Sequence, residues 1–175
     1  MLLGEAKILS ALKEAARRSP ADQTLLAAQR GGQTTLRFAH GRIHQSFHEE
    51  DLTVWVKVAS GGRAGVATTS SLKHSALEKA LEAARAIARL SGKATPPAFS
   101  ASPPEQPVPK LTTYFPETVH RPLEEIVREI RSLWDRSRKG GPELAGSFVA
   151  GENELAVVGS RGLAQYQPFS IGGLR

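Results

Sequence analysis

Leu36-Arg37-Phe38-Ala39-His40-Gly41-Arg42-Ile43-His44-Gln45 places two alternating runs on either side of a His-Gly pair. A two-residue hairpin turn needs positive φ, and glycine adopts it at no steric cost, so His40-Gly41 reads as the turn. Ala39 then faces Arg42, Phe38 faces Ile43 and Arg37 faces His44. Because side chains alternate across a strand, Leu36, Phe38, Ile43 and Phe47 are expected to point inward, and Arg37, Arg42, His44 and His48 outward. Further short β-type runs lie at 24–29, 34–39, 42–48, 52–58 and 65–69, with Gly61-Gly62 as the next turn. Together they predict an antiparallel meander.

Helical spacing surrounds the meander. Ile8, Leu9, Leu12 and Ala16 recur on one face of residues 2–18, and Pro20 stands where that helix would stop. Leu77, Ala80, Leu81, Ala84, Ile87 and Ala88 form a second stripe, with Ser75 and Glu78 spaced as a capping box and Gly92 as the stop. A third helix is expected over 122–138, burying Leu123, Ile126, Val127, Ile130 and Trp134. Between the second and third helices, residues 93–119 hold seven prolines, which excludes a helix or a central strand. This stretch reads as an extended connector anchored by Leu111, Tyr114 and Phe115.

β character returns at 148–149, 155–158 and 163–166. The run from Leu155 to Tyr166 repeats the layout of the front hairpin, an arrangement that fits either an internal duplication or two unrelated hairpins. The fold class is therefore α+β, an antiparallel or mixed sheet packed with two or three helices. The chain reads as a single domain: a first helix at 1–20, a β-meander plus helix at 22–92, the Pro-rich connector at 93–120, and a helix plus an incomplete second β unit at 121–175. Ending inside that unit, the chain is expected to leave an unpaired sheet edge near 170–175.

The 175 residues carry 23 Lys plus Arg against 17 Asp plus Glu, and no cysteine. A chain of this length can bury about two-thirds of its unfolded surface, so it can fold on its core alone. The missing cysteines exclude a disulfide scaffold, a thiol nucleophile and a Cys-ligated metal. The long uncharged stretches are Pro-, Ser- and Gly-rich rather than apolar, and charges come too early for a secretory signal, so a cytoplasmic protein without a membrane span is expected. The net charge of +6 invites a phosphate-binding reading, but aromatics make up only 6% and the bases are dispersed, so nucleic acid is not the expected partner.

His40, His44 and His48 would share a metal only on a helix; on strands, residues four apart lie ~13 Å apart. His48-Glu49 is followed by no second histidine at the spacing of H-E-x-x-H or H-E-x-x-x-H. Gly61-Gly62-Arg63-Ala64-Gly65 lacks the Gly-Lys-Ser/Thr ending of a phosphate loop, and no nucleophile elbow marks a serine. Trp55 and Trp134 read as core or interface residues. No catalytic residue, metal ligand or cofactor is assigned to this chain. The outward basic residues Arg37, Arg42, His44 and His48 are the one candidate binding face, for an acidic partner or single-stranded nucleic acid.

The front hairpin, Leu52-Thr-Val-Trp-Val-Lys-Val58 with its glycine turn, the Ala-rich helix and Gly151-Glu-Asn-Glu-Leu-Ala-Val-Val-Gly-Ser-Arg-Gly162 resemble the N-terminal domain of the TldD/PmbA family, metallopeptidases once labelled modulators of DNA gyrase. That resemblance implies a longer protein in which an H-E-x-x-x-H zinc site sits in a C-terminal domain absent from this chain and cleaves peptide-like substrates. It implies a non-catalytic N-terminal domain that helps enclose the cavity, in a homo- or heterodimer, the chain being expected to come from a truncated reading frame or from a split gene whose missing half is a separate chain. Gly159-Ser160-Arg161-Gly162 stands where the family usually has an Asn-Ser-x-Gly turn. A free-standing basic binding module and an inactive remnant are the alternatives.

Overall fold

The computed structural model describes residues 1–93, 109, 111–138, 140 and 143–175. Its elements run α1 (Glu5–Arg18), β1 (Gln23–Ala39), β2 (Arg42–Ser60), β3 (Arg63–Thr69), α2 (His74–Leu90), α3 (Pro116–Val119), α4 (Leu123–Ser137), β4 (Gly146–Gly159) and β5 (Ala164–Leu174). The strands form one five-stranded sheet in the order β3-β2-β1-β4-β5. Every neighbouring pair is antiparallel, so of the two expected sheet types the antiparallel one is present.

The turns form as the local chemistry dictates: His40 and Gly41 sit at φ 48° and 74°, Gly61 and Gly62 at 58° and 75°. Strand lengths differ from expectation. Residues 24–29 and 34–39 belong to one strand, as do 42–48 and 52–58. Gly31 and Gly32 do not interrupt β1 because both of its edges are paired: Gly31 lies opposite Asp51 and Asn153, and Gly32 opposite Glu50 and Glu152. In the rear, 148–149 and 155–158 likewise merge into β4, and the turn after it closes through Gly159 N–H donating to the Leu163 carbonyl at 2.9 Å.

A bulge corrects the facing of the front hairpin. Phe38 opposes Ile43 and Ala39 opposes Arg42 as expected, but Arg37 opposes Gln45, leaving His44 as the extra residue. One inserted residue reverses the parity of everything beyond it. Phe47 therefore sits opposite Thr35 on the same face as Arg37, and His48 sits opposite Thr34 on the helix-covered side of the sheet.

All helices lie against that one side. α1 and α2 cover its upper half, where Ile8, Leu12, Leu77, Ala80 and Ala84 pack on Leu26, Val54, Val56 and Val58. Each fully buried aliphatic side chain here stabilises the fold by about 1.5–3 kcal/mol before entropy is subtracted. The alanines of α2 permit close approach: a Cβ on Gly65 of β3 would stand 2.1 Å from the Ala84 carbonyl oxygen. The expected capping box does not form. α2 begins two residues earlier than a Ser75 cap would place it, so Ser75 lies inside the helix and Lys73 occupies the cap without a side-chain bond.

α4 covers the lower half, with Ile126, Ile130 and Trp134 on Leu36, Phe38, Phe148 and Ala150. Trp134 meets Phe38 edge-on, ring centroids 5.7 Å apart, and its Nε1 is buried without a hydrogen-bond partner among the described residues. Leu123, expected in the buried stripe, is 47% exposed, and Val127 is half-buried.

Most of the connector, 94–108 and 110, lies outside the described residues. Its end runs along β5, where Ser170 N–H donates to the Thr113 carbonyl at 2.9 Å and Thr113 Oγ1 donates to the Pro168 carbonyl at 2.7 Å. Against expectation, Pro116 opens a single helical turn, a position where its missing N–H costs nothing. Of the three expected anchors, Leu111 and Phe115 are exposed and Tyr114 alone tucks in.

Candidate functional site

The four residues predicted to form a basic face do not share one. Arg37 and Arg42 project from the open side of the sheet, and the Arg37 guanidinium lies 5.6 Å from the Phe47 ring centroid. His44 occupies the bulge. His48 is on the opposite side, its Nδ1 3.0 Å from Thr34 Oγ1 and its Nε2 3.8 Å from Glu50. His40, at the turn, contacts Glu143 instead of another histidine. Among the described residues no group of three metal-ligating side chains is assembled.

The polar centre of the molecule lies elsewhere, between the two apolar halves of the core. Strand parity puts Arg30, Glu152 and Glu154 in the inward rows of β1 and β4, at 6%, 4% and 0% exposure. Gly32, next in the Arg30 row, leaves the guanidinium room. Arg30 donates to Glu50 at 2.8 Å and to Glu152 at 3.3 Å, and lies 3.9 Å from Glu154. Glu154 accepts from Leu3 N–H, Gly4 N–H and the Tyr166 hydroxyl, each at 2.7 Å. Glu152 contacts the amino group of Met1 and accepts from the Tyr114 hydroxyl at 3.1 Å.

Electrostatics follow this geometry. Burial pushes the Glu152 carboxyl up, but hydrogen bonds from the Met1 ammonium, Arg30 and Tyr114 outweigh it and hold the group below its ordinary range. Burial, then the neighbouring carboxylate, pushes both the Tyr114 and Tyr166 hydroxyls up, so both stay protonated and keep donating. Every acid here is engaged by donors. The arrangement ties α1, the connector and two strands together and leaves no free base or nucleophile.

Sequence reasoning missed this centre, although a signal was present. Phe148, Ala150, Glu152, Glu154, Ala156 and Val158 alternate on one face of β4, so two acids stand in an otherwise apolar row.

The sheet's other side has no helix on it among the described residues. It presents Trp55, Leu155 and Val66 at 38%, 41% and 45% exposure, with Leu25, Ala27 and Val157 half-buried beside them. A recess there of about 540 Å³ is walled by Trp55, Thr53, Gln29 and the close-packed Gly31–Asn153 pair. An apolar strip on one face of a sheet marks a surface that takes a partner.

Residues 26–88, which span β1 through most of α2, match the family model of PmbA/TldA metallopeptidase domain 1. Over these residues the chain is similar to a TldD/PmbA-type first domain. Solved structures share its fold. TldE from Thermococcus kodakarensis superposes with a TM-score of 0.82 at 16% identity, covering 91% of this chain and 37% of that one. Candidate DNA gyrase modulators from Thermotoga maritima and Bacteroides thetaiotaomicron give TM-scores of 0.79 and 0.76 at 14% and 15% identity, covering 94% and 97% of this chain. The chain spans 37% to 39% of the length of these three proteins. No curated protein matches it. No helix among the described residues is long and apolar enough to cross a membrane.

Proposed function

We propose that this chain serves as the non-catalytic N-terminal part of a TldD/PmbA-type metallopeptidase, enclosing a peptide-substrate cavity together with a zinc-bearing C-terminal domain. The supporting observation is the one-sided sheet: helices fill one face, and the other offers Trp55, Val66 and Leu155 to a docking surface. The resemblance of the TldD/PmbA first domain supplies the identity of that surface, in a homo- or heterodimer. Peptide is the substrate class, and the zinc belongs to the other domain. The basic-module alternative retains only Arg37 and Arg42 on one face, too few to form an electrostatic groove for nucleic acid.

The test is reconstitution. The C-terminal region of a TldD-type protein carrying H-E-x-x-x-H is expressed separately, mixed with this chain, and followed by analytical ultracentrifugation, zinc content and peptide hydrolysis. A complex is expected to form and to weaken by about tenfold or more in Trp55→Ser/Leu155→Ser, since each buried large apolar side chain contributes about 1.5–3 kcal/mol. Zinc binding with peptide hydrolysis by this chain alone, or a complex indifferent to the double variant, overturns the proposal.

A further inference from the structure

β5 is an edge of the sheet. Arg175 and Ser147 exchange both of their backbone hydrogen bonds at 2.9 Å, which turns the N–H and C=O of the alternate residues Leu174 and Gly172 outward. No backbone bond reaches these two among the described residues. One step back along the edge, the outward N–H of Ser170 is taken by the Thr113 carbonyl, and Phe115 N–H donates to Ser170 Oγ at 3.1 Å. An extended segment of this chain therefore already lies on the edge, and it leaves the edge at Pro116, where α3 turns onto the helix-covered face and sets Thr118 over Gly172.

Beneath the vacated stretch lies a groove of about 780 Å³ between β5 and α4. Its floor is apolar, from Ile126, Ile130, Leu133 and Phe148, with Leu174 at the lip. The floor exists because α4 rests on the large side chains of Trp134 and Phe38. The rim is acidic. Arg121 is tied to Glu129, whereas Glu117 and Glu125 form no salt bridge among the described residues.

We infer that the Gly172–Leu174 edge is a strand-addition site for an extended peptide with alternating apolar residues and at least one lysine or arginine. Backbone hydrogen bonds to Gly172 and Leu174 would extend the sheet past the point where Thr113 stops. Alternate apolar side chains would enter the groove, and the basic residue would face Glu117 and Glu125. The site lies at the rim of the helix-covered face, so it stands or falls independently of docking on the open face.

The experiment uses the full chain, 15N-labelled, with the peptide acetyl-Thr-Val-Thr-Val-Thr-Lys-Thr-amide as probe, whose lysine shares the face of its valines. Saturating peptide is expected to slow hydrogen exchange at the Gly172 and Leu174 amides by on the order of tenfold. The same peptide N-methylated at alternate residues is expected not to bind. Leu174→Pro, which removes an outward N–H, is expected to abolish binding, and Glu117→Gln/Glu125→Gln to weaken it. Equal binding of the N-methylated peptide, or unchanged exchange at both amides, overturns the inference. So does protection of these amides that grows with protein concentration in the absence of peptide, since a second copy would then hold the edge.

Discussion

Glu154→Gln isolates what the buried charge contributes, because it preserves shape while removing one acceptor and the charge. Glu154 is fully buried and accepts three hydrogen bonds of 2.7 Å, two of them from the backbone N–H groups of the partly buried Leu3 and Gly4. An amide has one acceptor oxygen, so one of its two positions must turn an NH2 toward a donor. Arg30 also loses a neighbouring charge at 3.9 Å, keeping only Glu50 and Glu152. Breaking one partner of a buried, hydrogen-bonded charge cluster costs about 3–5 kcal/mol. At about 2–4 °C per kcal/mol for a chain of this size, Tm should fall by about 6–20 °C. Tyr166→Phe, which removes one of the three donors, should cost about 1–3 kcal/mol and provides an internal scale. Thermal and urea unfolding by circular dichroism measure both, and amide exchange at Leu3 and Gly4 should accelerate in the Gln variant. A loss below about 1 kcal/mol in Glu154→Gln would refute the reasoning, because it would mean that water or rearrangement satisfies these groups as well as the carboxylate does.

Two further outcomes follow from the same geometry. Gly65→Ala places a Cβ 2.1 Å from Ala84 O and 2.6 Å from Ala88 N, both backbone, so α2 must move off β3; a loss of about 2–3 kcal/mol is expected in urea unfolding, with an unchanged midpoint counting against the close approach. Glu152 titrates below its ordinary value near 4.5, so its stabilisation is present above that pH and is lost as pH falls through the lower folded-state value; Glu152→Gln should lower stability at neutral pH and flatten the acid limb of stability against pH, and parallel limbs in the two proteins would contradict the assignment.

How much was legible depended on the range of the interaction. The His40-Gly41 and Gly61-Gly62 turns were readable because positive φ is a local demand on two residues. The three long helices were readable because their periodicity needs no knowledge of the partner, whereas the single turn of α3 has none. The bulge at His44 was not, since it depends on how β2 pairs along its whole length, and it alone sent Phe47 and His48 to the sides opposite those expected. The joining of 24–29 and 34–39 into one strand was hidden for a similar reason: glycine weakens an isolated strand, whereas Gly31 and Gly32 in β1 are paired on both sides. The capping box failed because α2 starts at His74, one residue ahead of the serine that was to cap it. Tyr114 was identified as an anchor, but its partner Glu152 lies 38 residues away and could be seen only after β4 was placed.

The charged belt also explains why so long a sheet keeps one register. Above it Leu26, Val54 and Val58 are apolar and interchangeable in kind, as are Leu36, Phe38 and Phe148 below it, so neither pad distinguishes sharply between alignments that preserve the inward face. The belt does. Sliding β4 by one residue along β1 would put Leu155 or Asn153 opposite Arg30 and turn both glutamates to the open face. Sliding it by two would keep the face but set Ala156 or Glu152 opposite Arg30, and would carry Glu154 away from Leu3 and Gly4. The one-residue slip leaves a buried guanidinium with no carboxylate from β4, and the two-residue slip costs it one carboxylate and Glu154 its backbone donors, losses of several kcal/mol that exceed what a shifted pair of apolar side chains could recover. Three charged residues in the middle of the core thus hold in place the strands that present Trp55 and Leu155 on the open face, on either side of β1.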